Sequence, residues 1–183
     1  MIISYGVVFC RLVIGLVFAL SFIGKVRDIP TFEQTIRRFK LLPGWLSRAT
    51  ALVFLGGEAA VVVAMLPHPR LLSQFWERKV ITGGFLLAAL MLLAFCAALA
   101  SVLIRKIYTS CNCFGASEKP VSPYDMVRNV GFIVCALGGC GMQAGGPGSL
   151  AALGVLEWGL AGIAAAVFVA LWVPVGEIVA LLR

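Results

Sequence analysis

The run Tyr108-Thr109-Ser110-Cys111-Asn112-Cys113-Phe114-Gly115 places two thiols one residue apart, between two long apolar stretches. Cysteines at i and i+2 in a loop can close a very small disulfide ring. Such a ring forces unfavourable torsions, and strained disulfides are the more easily reduced ones. The pair is therefore suited to passing its oxidation to the thiols of another protein. Lys106 and Arg128 lie near the loop in sequence, and a positive charge there favours thiolate over thiol and so favours attack. Gly115 helps the chain turn back after the pair. Two other readings stand beside this one. Paired thiolates also suit soft ions such as Cu(I) or Hg(II), which would make the protein a soft-metal transporter. Yet the loop holds no further Cys, His or Met, and the sole histidine, His68, falls in a different loop, so no metal ligand is assigned. In the third reading the chain has no chemistry of its own and anchors a redox partner at the membrane.

The elements that position this loop follow from composition. Of 183 residues, 61% are hydrophobic and 13% are charged, with a mean hydropathy of +1.03. A soluble domain carries roughly 25% charged and 45–50% apolar residues. That difference excludes a soluble enzyme, a disordered regulator and a small disulfide-stapled secreted domain. The expected fold is an all-α integral membrane protein, a single helical-bundle domain over 1–183. It comprises four to five transmembrane helices and one interfacial amphipathic helix. Apolar runs place the spans at about 2–24, 49–66, 80–104, 126–143 and 150–173. The first has no basic residue ahead of Arg11 and reads as an uncleaved span. Between Pro30 and Pro43, Phe32, Ile36 and Phe39 recur at helical spacing, with Arg37, Arg38 and Lys40 on the other side. This stretch reads as a helix lying in the headgroup region. The net charge of +7 accordingly points to anionic lipid rather than nucleic acid.

With five spans, the loop carrying Cys111 and Cys113 falls on the face opposite Met1. That face also receives Lys25, Arg27, Arg37, Arg38, Lys40, Arg48, Arg105, Lys106, Lys119, Arg128 and Arg183, against Arg70, Arg78 and Lys79 on the Met1 face. The positive-inside rule alone makes the loop face cytoplasmic, whereas oxidative thiol chemistry needs it periplasmic. We favour the periplasm, because six of these charges, Lys25 to Arg48, belong to the first loop, which contains the stretch that reads as an interfacial helix.

The Cys-Asn-Cys-Phe-Gly loop at 111–115 resembles the Cys-x-Cys-Phe-Gly signature of the MauE family, the methylamine utilisation membrane proteins. The Tyr124-x-x-x-Arg128-Asn129 stretch that follows is part of the same likeness. The opening Arg11-x-x-x-Gly15, with Phe18, Ser21 and Lys25, is similar to the first helix of MauE and related DoxX proteins. The basic stretch ending at Leu42-Pro43 and Glu58 match as well. The resemblance covers about residues 5–135. It implies a helical bundle in the bacterial inner membrane that works with a thioredoxin-like partner to mature disulfide-rich periplasmic client proteins. Cys111, Cys113 and Arg128 are the residues onto which that role carries over.

Cys10, Cys96, Cys135 and Cys140 fall inside apolar runs, where a lone cysteine is usually a small packing residue. The functional alternative is a second redox pair passing electrons from the loop to a quinone. Cys135 and Cys140 would stand about 140° apart around one continuous helix and would make a poor disulfide. Cys96, roughly 12 Å below the loop face, is the nearest of the four to the loop. Arg11, Glu58 and Glu157 also lie within the spans, where charges are expected to pair. Their similar depths predict an Arg11–Glu58 pair with Glu157 nearby, and Lys25 emerging at the loop face.

Overall fold

A computed structural model describes residues 2–39, 43, 46–66, 74–106, 122–144 and 154–175. Over these the chain is all-α, with helices α1 (Ile2–Val26), α2 (Ile29–Arg38), α3 (Ser47–Met65), α4 (Gln74–Ile104), α5 (Pro123–Ala144) and α6 (Val155–Trp172). Among the described residues, α1, α3, α4 and α6 are long and apolar enough to cross a membrane. The protein is thus an all-α membrane bundle, as its composition predicts. α5 has 22 residues, but Asp125, Arg128, Asn129 and Gln143 make it more polar. Asn129 and Gln143 are buried inside the bundle, so this polarity faces the neighbouring helices.

α1 is the central element and packs against α3, α4, α5 and α6. Val7, Ile14, Val17 and Phe18, spaced by three, four and seven, are all buried. The core continues through Val61 and Met65 of α3, Ile81, Phe85 and Ala88 of α4, Phe132 and Ala136 of α5, and Ala165 and Val169 of α6. Small residues let these backbones approach, the usual device where lipid supplies no hydrophobic drive between helices. At Gly139 a Cβ would stand 2.6 Å from Phe85 Cζ and 3.0 Å from Cys10 Cβ, and at Gly84 one would stand 2.8 Å from Ala64 Cβ.

α2 is short and two-faced. Phe32, Thr35 and, just beyond its end, Phe39 are buried, while Arg37 and Arg38 are exposed. Asp28 caps it, its Oδ1 accepting the Thr31 N–H at 3.1 Å, and Pro30 occupies the first turn. The Thr31 side-chain and backbone hydrogen bonds hold the Asp28 carboxyl below its ordinary range. A depressed carboxylate pKa contributes stability that is present above the unfolded value and is lost as pH falls through the folded one. Asp28→Asn keeps an uncharged cap. It should remove the acid-side loss of α2 helicity, and Asp28→Ala should lower that helicity at every pH. Amide exchange on α2 across a pH series checks both. The helix ends at Arg38, short of the expected stop at Pro43; residues 40–42 lie outside the described residues.

Two residues past the end of α4, Lys106 has φ 52°, and its N–H donates to the Leu103 carbonyl at 3.1 Å. This left-handed residue is a common helix C-terminal device. It stands just before the segment that carries Cys111 and Cys113 in sequence.

Candidate functional site

The polar centre of the bundle lies in the half toward that loop and is built by α1, α3 and α5. Lys25, one residue from the end of α1, folds its ammonium back into the protein rather than emerging. It forms an ion pair with Glu58 Oε1 of α3, with side-chain exposures of 4% and 5%. Ser21, one turn earlier, donates to the same Glu58 oxygen at 2.9 Å and accepts from Lys25 Nζ at 2.9 Å. The ring of Phe32 on α2 lies 5.0 Å from Lys25 Nζ.

This arrangement overturns the expected Arg11–Glu58 pair. Arg11 instead reaches toward the opposite end of the bundle. Its Nε donates to the Met65 carbonyl at 3.0 Å, a second nitrogen donates to the Leu66 carbonyl, and a third lies 3.6 Å from Glu77 Oε1. The physical reason is the end of α3. The last carbonyls of a helix have no partner within it and carry partial negative charge, and a long guanidinium satisfies two of them at once. Glu157 is likewise engaged elsewhere, accepting from the Tyr5 hydroxyl and from the Gly154 N–H at 2.8 Å. Arg11→Leu should therefore cost about 3 kcal/mol, the scale for breaking a buried, hydrogen-bonded charge. Adding Glu58→Leu should add its own cost rather than rescue the first, since the two side chains are not partners. Denaturant unfolding in detergent measures both variants.

A half-open cavity adjoins Glu58. Phe18, Phe54, Met91, Leu92 and Phe95 form its apolar walls, and Ser21, Lys25, Glu58 and Asn129 its polar ones. Asn129 is 2% exposed and its amide donates to the Asp125 carbonyl at 3.0 Å. Arg128, the next residue on α5, points elsewhere. Its guanidinium pairs with Asp125 at 3.3 Å and donates to the Val173 carbonyl at 3.4 Å. Trp172 returns a hydrogen bond to the Arg128 carbonyl at 3.2 Å. Arg128 thus fastens α5 to the end of α6, about one and a half turns from the start of α5.

Cys111 and Cys113, the two thiols that lead the sequence reading, lie outside the described residues. The helices that deliver them, α4 and α5, are the ones whose Met91, Leu92, Phe95 and Asn129 wall the cavity. The remaining cysteines are unoxidised. Cys10 of α1 and Cys135 of α5 are in hydrogen-bonding contact across the core, a pairing set by the rotation of two helices far apart in sequence. Cys96 and Cys140 are half-buried against the same core. Among the described residues no three His, Cys, Asp or Glu side chains converge as a metal site would require. The sequence reading missed the cavity and the Lys25–Glu58 pair. The one available signal was the shared helical face of Phe18, Ser21 and Lys25.

The model of the family described as methylamine utilisation protein MauE matches residues 3–142. The methylamine utilization protein MauE of Paracoccus denitrificans is 33% identical over 143 residues, covering 76% of this chain and 72% of that protein. No solved structure matches the chain.

Proposed function

Because this chain belongs to the MauE family, we propose that it serves methylamine utilisation as a membrane thiol–disulfide oxidoreductase, or as the accessory to one. The observation that carries this reading is the Cys111-Asn112-Cys113 pair, set in the connection between α4 and α5 of a membrane bundle. A thiol pair in a connection between spanning helices can meet a water-soluble protein, whereas thiols in the core cannot.

In this reading the Cys111–Cys113 disulfide is attacked by a thiol of a thioredoxin-like partner. One S–S bond breaks as the mixed disulfide forms, and a second partner thiol then resolves it. The two electrons end on the loop as a dithiol, and the partner carries its new disulfide to the client. The reaction belongs in an oxidising compartment, which places the loop on the periplasmic side of the bacterial inner membrane. Arg128 acts by holding α5, and with it the return of the loop, against α6.

Blocking free thiols by alkylation in native membranes, then mapping the peptides by mass spectrometry before and after reduction, tests this directly. A bond between Cys111 and Cys113 that opens with reductant is the expected result. Thiols that alkylate only after a chelator is added would show the soft-metal reading instead.

A further inference from the structure

Glu58 has one oxygen too many for its surroundings. Oε1 takes both Lys25 and Ser21, while Oε2 is buried without a hydrogen-bond partner among the described residues. A buried carboxylate oxygen left without a donor is costly, and native structures rarely leave one so. This oxygen belongs to a side chain that lines the cavity. The cavity is open on one side, and its volume with that opening included is about 400 Å³.

We propose that this cavity binds the head ring of a lipid-soluble quinone, and that it holds the reduced form, the quinol, more tightly than the oxidised one. Three features select that class. The site lies within the spanning helices, so its occupant partitions into lipid. The walls at Phe18, Phe54, Phe95 and Met91 offer faces for a flat apolar ring. The polar end combines an acceptor that lacks a donor with an ammonium. A quinol hydroxyl donates to Glu58 Oε2; a quinone carbonyl has no proton to give and can only accept. A hydrogen bond to an ionised group is among the stronger ones, which sets the preference for the quinol. The ring enters as Met91 and Phe95, half-buried side chains that line the cavity, change rotamer.

The proposal rests on the thiol–disulfide reading only for the source of electrons. There, the Cys111 and Cys113 thiols lose two electrons and two protons and form one S–S bond, and the quinone gains both and becomes the quinol. Asn129 stands six residues into α5, about 9 Å along the axis from where the loop returns.

The test uses decylubiquinone and decylubiquinol with the purified full-length protein in detergent, by anaerobic equilibrium dialysis. The quinol should bind about tenfold more tightly than the quinone, the scale of one charge-assisted hydrogen bond. Met91→Trp, which fills the mouth from a half-buried position, should weaken both by about tenfold or more. The paired change Lys25→Met with Glu58→Leu keeps the core free of unpaired charge and should abolish the preference. Equal binding of the two forms by the native protein, or Met91→Trp binding as native, overturns the proposal and leaves the cavity to water. The same measurement in the Cys111→Ser, Cys113→Ser variant separates the two readings. Retained binding there supports the site whatever becomes of the loop chemistry, and lost binding shows that the quinone needs the loop rather than the cavity.

Discussion

Glu58→Leu should destabilise the bundle by about 3–5 kcal/mol, the range for removing one partner of a buried ion pair. The Lys25 ammonium, 4% exposed, would be left with Ser21 as its polar contact beside the ring of Phe32. Neither neutralises a charge. Lys25→Met alone should cost a similar amount, because Glu58 would then keep a single donor for two buried oxygens. The double change Lys25→Met, Glu58→Leu should recover most of either loss, since replacing both members of a buried pair by apolar residues is often neutral or better. Unfolding of the three variants in detergent completes the cycle. A double variant as unstable as the sum of the singles would show that the two side chains do not act as a pair.

The helices were largely legible, and particular residues show why. Apolar runs become helices because lipid leaves backbone groups no partner but each other. The run at 2–24 thus becomes α1 over Ile2–Val26, and the run at 49–66 becomes α3 over Ser47–Met65. α4 starts six residues before its apolar run because its first turns, with Glu77, Arg78 and Lys79, are polar at the bundle end. Arg78 there donates to the Gln143 carbonyl of α5 at 2.8 Å. Pairing of charges was not legible. Depth along a helix axis assigned Arg11 to Glu58, but depth says nothing of rotation, and a long side chain moves its charge by about a turn. Arg11 reaches back to the α3 carbonyls and Lys25 folds inward, so each finds a partner at a level its Cα does not occupy. The cavity was hidden for the same reason, since it needs side chains from four helices at one height.

The second large effect concerns the loop. Cys111→Ser and Cys113→Ser should each end disulfide donation, because a ring that has lost one sulfur has no oxidation to pass on. Both proteins should fold as the native chain does, since the core is made by the helices and not by the connection between α4 and α5. One of the two variants should accumulate a mixed disulfide with the thioredoxin-like partner: the remaining loop thiolate attacks the oxidised partner's disulfide, one S–S bond breaks as the mixed disulfide forms, and no second loop thiol is left to release it. We expect this in the variant that retains Cys113, nearer Gly115, where the sequence predicts a turn. Non-reducing electrophoresis of acid-quenched membranes reads the adduct. Arg128→Ala should slow donation without stopping it, because the residue ties α5 to Val173 of α6 and carries no electrons itself. An Arg128→Ala protein that donates at the native rate would remove that residue from the account.

The claim that the loop pair works on other proteins' thiols meets its most direct test in the double variant Cys111→Ser, Cys113→Ser, present in the membrane at the native level. The quantity to measure is the fraction of client protein carrying its full set of disulfides, by alkylation and mass spectrometry. The account predicts that this fraction falls to the level seen in cells lacking the protein altogether. Client oxidation at the native level in the double variant would contradict it.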